Sequence, residues 1–115
     1  MNDEELTKLE SKIYIFSVNV FSFIKTLMDE NITNENTREL FSVSSKLYSE
    51  FVSLLDDTGS KKDKSSVYIS CIAMANASAE HLSKIDVKGA LLNERVDLLI
   101  EAKEIIRILE KSKIE

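Results

Sequence analysis

The segment "IYIFSVNVFSFI", Ile13 to Ile24, decides how the chain is read. Its apolar residues recur at helical spacing, yet they cover more of a helix than one core stripe needs. At about 100° per residue, Leu6, Leu9, Ile13, Phe16, Val20, Phe23, Ile24 and Leu27 fall on one stripe. Tyr14, Val18, Phe21 and Met28 widen it to an arc of about 220°, against the roughly 100° of an ordinary surface helix. Asn19, Ser22, Thr26 and Asp29 take the remainder, with Ile15 among them. The run is too short to span a bilayer and holds Asn19 and two serines, so it predicts a long helix over about residues 3–31 of a protein with no membrane partner.

The rest of the chain has the same character. It is 115 residues long, the size of a single domain over residues 1–115 with a core of its own. Hydrophobic residues make up 43% and charged residues 30%, a globular balance. Proline is absent and the two glycines are Gly59 and Gly89, which excludes turn-rich β folds. The formal net charge of −5 argues against indiscriminate binding to phosphate backbones. The single Cys71 excludes an internal disulfide framework and a multi-cysteine zinc site. "MNDEEL" is acidic where a secretory leader is basic, so a cytoplasmic location is expected.

Three short joins punctuate the helical periodicity. "NITNENTREL" offers Thr33, Asn34 or Asn36 as an N-cap, with Asn36 and Glu39 approximating a capping box, and helix 2 is expected over about 34–57. Leu40, Val43, Leu47, Phe51, Leu54 and Leu55 form its core face, which Phe41, Tyr48 and Val52 widen. In "DDTGSKKDK", Gly59 suits a C-terminal cap and Ser60 an N-cap for helix 3 over about 61–85. Its "AMANASA" stretch lets a neighbouring helix approach closely. Asp86 is the expected cap of helix 4, about 87–113, in whose first turns Gly89 would cost roughly 1 kcal/mol relative to alanine. Leu91, Leu92, Val96, Leu98, Leu99, Ala102, Ile105, Ile106 and Leu109 give helix 4 a second wide arc. The expected fold is therefore all-α, an up-down-up-down antiparallel four-helix bundle. A dimer of two-helix hairpins is the chief rival.

Catalytic signals are sparse. The only histidine, His81, directly follows Glu80, which is not the Glu-x-x-His spacing of a di-metal bundle. It reads as a boundary histidine bonded to a neighbour, and Cys71 as a buried apolar residue with no second histidine to activate it. Ser44 and Ser78, on otherwise apolar faces, are expected to bond carbonyls one turn back. No glycine-rich phosphate loop, zinc-protease motif or nucleophile elbow is present. Neither an enzyme nor a bound cofactor or metal is expected. The one basic cluster is "KKDK", where Lys61, Lys62 and Lys64 should share a bundle end with Lys111 and Lys113, close to Asp3, Glu4 and Glu5. These lysines are the candidate nucleic-acid contacts.

One bundle core cannot use the whole arc of helix 1. Tyr14, Val18, Phe21 and Met28 are left over, as are Ile100 and Ile108 on the outer side of helix 4. Contiguous exposed apolar surface marks interaction sites, and most oligomers are homomers. These six residues are the expected oligomer or partner interface.

Three segments carry a family resemblance: "DDTGSKKDKSSVYI" (56–69), "ISCIAMANASAEHL" (69–82) and "LLNERVDLLIEAKEIIRIL" (91–109). They resemble the loop, the small-residue third helix and the last helix of the bacterial four-helix-bundle family encoded within 23S rRNA intervening sequences. That family includes the accessory variability protein of diversity-generating retroelements. Its second helix commonly ends in a proline-containing run, where this chain reads "YSEFVSLLDDTGS". The resemblance implies a ring-like homopentamer and, in some members, binding to RNA or a reverse transcriptase. The expected function is a non-enzymatic scaffold or adaptor that self-associates through helices 1 and 4 and binds a protein partner. The alternative is a nucleic-acid-binding accessory subunit.

Overall fold

The structure, a computed structural model, describes residues 2–55 and 64–114. Four helices follow in order: α1 (Asp3–Asp29), α2 (Glu35–Val52), α3 (Lys64–Lys84) and α4 (Ala90–Ile114). Each helix packs on its two neighbours, α1 on α2, α2 on α3, α3 on α4 and α4 back on α1. The result is the up-down-up-down antiparallel four-helix bundle, 44 Å long and 21 × 19 Å across. Apolar stripes meet on its axis. Phe16, Phe23 and Leu27 of α1, Leu47 and Phe51 of α2, Leu82 of α3, and Ile105 and Leu109 of α4 are almost wholly withdrawn from solvent.

Local chemistry sets the helix ends. Asn2 caps α1: its side chain accepts from the Glu5 amide at 2.8 Å, and the Glu5 carboxylate turns back to the Asn2 amide. At the other end Asn31 adopts φ 58°, and the Ile32 amide donates to the Leu27 carbonyl at 2.8 Å. That left-handed cap stops α1 at Asp29, short of residue 31.

Asn34 is the cap of α2, reciprocated by Thr37 rather than by an Asn36–Glu39 box. Thr37 is buried, so the box seals the bundle end as well as the helix. The α-helical run of α2 stops at Val52 rather than near residue 57. From Ser53 to Leu55 the amides bond three residues back, and the Ser53 hydroxyl donates to the Glu50 carbonyl at 2.6 Å. Gly59, Ser60 and the expected start of α3 at residue 61 lie outside the described residues.

Helix α4 begins at Ala90, not at residue 87, and Asp86 does not cap it. Gly89 precedes the helix with φ +62°, and its carbonyl accepts from the amides of Leu92 and Asn93. It is therefore a cap residue in a conformation that suits glycine, and the interior-glycine cost does not arise. Ile85 and Val87 of the same link are buried. Arg95 ties the link down: its Nη1 donates to the carbonyls of Leu82 and Ser83, the last turn of α3.

Candidate protein-interaction surface

The flank of α1 that turns toward α2 carries the surplus. Phe21 is 53% exposed and Met28 60%, with Tyr14 and Val18 also open to solvent. Tyr14, Phe21 and Met28 are spaced one heptad apart, the repeat that keeps residues on one side of a helix. On α2, Phe41 and Tyr48 are spaced likewise and run the opposite way. The antiparallel register therefore brings two aromatic pairs together. Tyr14 meets Tyr48 edge-on with ring centroids 5.4 Å apart, and Phe21 meets Phe41 at 6.0 Å.

Between the Phe21–Phe41 pair and the end of α1 lies an open groove of about 530 Å³. Phe21, Ile24, Met28 and Phe41 give it an apolar lining, and Lys25 and Arg38 stand at its rim. Both cations are exposed, and neither forms an ion pair among the described residues. At the far end of the seam the Tyr48 hydroxyl donates to Glu10 Oε1 at 3.3 Å. Partial burial, and next the Glu10 carboxylate, push the Tyr48 phenol above its ordinary value of 10.0.

The sequence expectations map onto this surface unevenly. Tyr14, Val18, Phe21 and Met28 all lie on it. Ile100, 61% exposed, lies elsewhere, on the outer side of α4. Ile108 does not share that position: it is half-buried against the core and lines the cleft between α1 and α4. It shares that cleft with Leu9 rather than facing outward. Leu92 and Val96, grouped by periodicity with the core of α4, are instead exposed. Phe41, Lys25 and Arg38 were not singled out from the sequence as part of a site. The heptad spacing shared by Phe41–Tyr48 and Tyr14–Phe21 was the available signal.

The expected basic cluster is only partly described. Lys61 and Lys62 lie outside the described residues, as does the side chain of Lys113. Lys64 is exposed in the first turn of α3. Lys111 lines a shallow cleft of about 250 Å³ with Lys8, Lys12 and Arg107. Two of those cations are engaged: Lys8 with Glu4 at 3.4 Å and Arg107 with Glu104 at 2.7 Å. The hydrogen bond from Arg107 holds the Glu104 carboxyl below its ordinary value.

The remaining polar candidates have structural partners. His81 Nδ1 lies 3.1 Å from Asn36 Oδ1, bridging α3 to α2. The Ser78 hydroxyl donates to the Met74 carbonyl at 2.9 Å and the Ser44 hydroxyl to the Phe41 carbonyl at 3.2 Å. Cys71 is fully buried. Among the described residues no group of three His, Cys, Asp or Glu side chains is placed to hold a metal ion. None of the described helices is long and apolar enough to cross a membrane.

The chain matches no family model, no curated protein and no solved structure.

Proposed function

We propose that the protein is a non-enzymatic helical scaffold that self-associates through its α1–α2 face and presents the assembly to a protein partner. The single observation behind this reading is the continuous exposed apolar strip of Tyr14, Val18, Phe21 and Met28, joined across the seam by Phe41. Hydrophobic burial is the main driving force of association, and water-exposed aromatic side chains at a groove are the usual anchors. The resemblance to the 23S rRNA intervening-sequence family belongs with this proposal: members of that kind would form a ring-like homo-oligomer.

Light scattering of the wild-type chain at tens of micromolar tests it, alongside Phe21→Glu. The expected result is an oligomer for the wild type and a monomer for the variant, which still melts cooperatively as a folded helical protein. A strict monomer in both samples refutes self-association.

A second reading has its own observation. The cleft at the start of α1 and the end of α4 gathers Lys8, Lys12, Arg107 and Lys111, and Lys12 and Lys111 have no ion-pair partner among the described residues. An accessory subunit that binds RNA, or a reverse transcriptase carrying RNA, would use such a cleft together with Lys64. Binding to a generic RNA should then weaken steeply with salt. Absence of any salt-sensitive binding at low ionic strength removes this reading.

A further inference from the structure

We infer that the α1–α2 groove is a binding site for a small amphiphilic anion, a free molecule with one alkyl or aryl body and a carboxylate head. The floor of the groove and its rim differ in chemistry. Ile24 and Thr37 line it and are both buried, so they form the floor. Thr37 is polar, yet its hydroxyl is already engaged: it donates to Asn34 Oδ1 at 3.1 Å and accepts from the Asn34 amide at 2.9 Å. A polar group set on that floor would lose its water without gaining a partner. Phe21, Met28 and Phe41 complete the apolar lining. The inside of the groove therefore suits hydrocarbon.

The rim is cationic. Lys25 comes from α1 and Arg38 from α2, both exposed, and neither forms an ion pair among the described residues. Lys25 is the one charged residue of α1 between Tyr14 and Met28. No aspartate or glutamate among the described residues lines the groove. The whole chain carries a net charge of −5, so an anion has no general reason to approach it. The attraction is local to these two side chains. A carboxylate matches the planar guanidinium of Arg38 through two parallel bonds and can take a further one from the Lys25 ammonium.

The size favours a small molecule over a partner helix. A volume of about 530 Å³ lies within the range of small-molecule sites. The Phe21–Phe41 pair, with ring centroids 6.0 Å apart, bounds the groove on one side, and the end of α1 bounds it on the other. That leaves roughly 10 Å along the helix, about two turns. A helix is itself about 10–12 Å across with its side chains and takes anchors over several turns, so it fits less well.

Binding does not depend on self-association, but the two compete. An occupant covers Phe21, Met28 and Phe41, which belong to the strip proposed above as the association surface.

The test uses the full chain, diluted, with sodium decanoate below its micellar concentration and decanol as the neutral control. Amide and methyl resonances of Phe21, Ile24, Thr37 and Phe41 should shift and saturate with decanoate, and those around Ile100 should stay. Lys25→Gln with Arg38→Gln alters two exposed side chains. It should weaken decanoate at least about tenfold, because hydrogen bonds to charged groups exceed neutral ones, and leave decanol unchanged. Decanol binding as tightly as decanoate, or a double variant that keeps full decanoate affinity, overturns the proposal. So does binding to phosphatidylglycerol vesicles in place of free decanoate. At concentrations where the wild type is an oligomer, decanoate should also dissociate it. A wild type that is monomeric throughout and binds decanoate removes self-association and leaves this site standing. An oligomer that decanoate neither binds nor dissociates does the reverse.

Discussion

The seams of α3 and the seam between α1 and α2 use apolar residues in opposite ways. Along α3 the interior positions are Val67, Cys71, Ala75, Ser78 and Leu82, mostly small. Helix α3 accordingly brings its backbone closer to α2 and α4 than the longer α1 brings its own to the same two neighbours. Interaxial distance follows the side chains at the contact. Along the α1–α2 seam the flanking residues are Tyr14, Phe21, Tyr48 and Phe41, which reach across rather than let the helices close. Small residues give a tight seam with little surplus. Large ones give a groove and an exposed strip that a further surface can cover.

The largest expected effect separates two phenylalanines of one helix. Phe16 is fully buried, so Phe16→Ala should cost about 3–5 kcal/mol in urea unfolding of dilute protein. Phe21→Ala loses only an exposed ring and its contact with Phe41, about 1 kcal/mol. Equal costs would mean that the strip is part of the core, and the contrast between the seams would fail.

The tight seam is probed by overfilling it. Ser78 is fully buried, and Ser78→Leu should destabilise by about 1–3 kcal/mol, while enlarging exposed Ser45 to leucine on α2 should change the midpoint little. A tolerated leucine at position 78 would show that α3 is loosely packed. Next come the helix ends. Asn34→Ala removes the cap bonded to the Thr37 amide at 3.2 Å and should cost about 1 kcal/mol. Gly89→Ala meets no atom within 4 Å but keeps φ +62°, so a similar loss, about 1 kcal/mol, would come from backbone strain alone.

The smallest effect concerns Tyr48. Its phenol titrates above 10.0 in the fold, first through partial burial and then through Glu10. The folded state thus holds this proton more tightly than the unfolded chain. Its contribution is fully present below pH 10 and is lost as pH rises through the folded-state value. Ultraviolet titration of the wild type should show a late-ionising step that Tyr48→Phe lacks, and the variant's alkaline loss of stability should be flatter.

The fold was legible because it rests on periodicity summed over long segments. The absence of proline and the arcs of Leu9–Leu27 and Leu40–Phe51 are enough for four helices. The helix ends were less legible, since several asparagines in "NITNENTREL" could cap α2 and only geometry selects Asn34. Gly89 looked like an interior residue because the apolar pattern of Ile85 and Val87 continues through the link; those side chains fill the bundle end from a non-helical segment. The four α1 residues of the surface followed from arc width alone. Ile108 and Val96 were misplaced, because a wide arc does not show which edge a neighbouring helix covers. The roles of Lys25, Arg38 and Phe41 depend on the antiparallel register of α1 and α2, which a single-helix projection does not contain.

Sedimentation velocity of the wild-type chain, followed from sub-micromolar to hundreds of micromolar, tests most directly whether this strip is an association surface. A sedimentation coefficient that climbs with concentration to that of a defined oligomer, and stays at the monomer value in Phe21→Glu, is the predicted result. A wild-type chain that sediments as a monomer over the whole range would contradict the account.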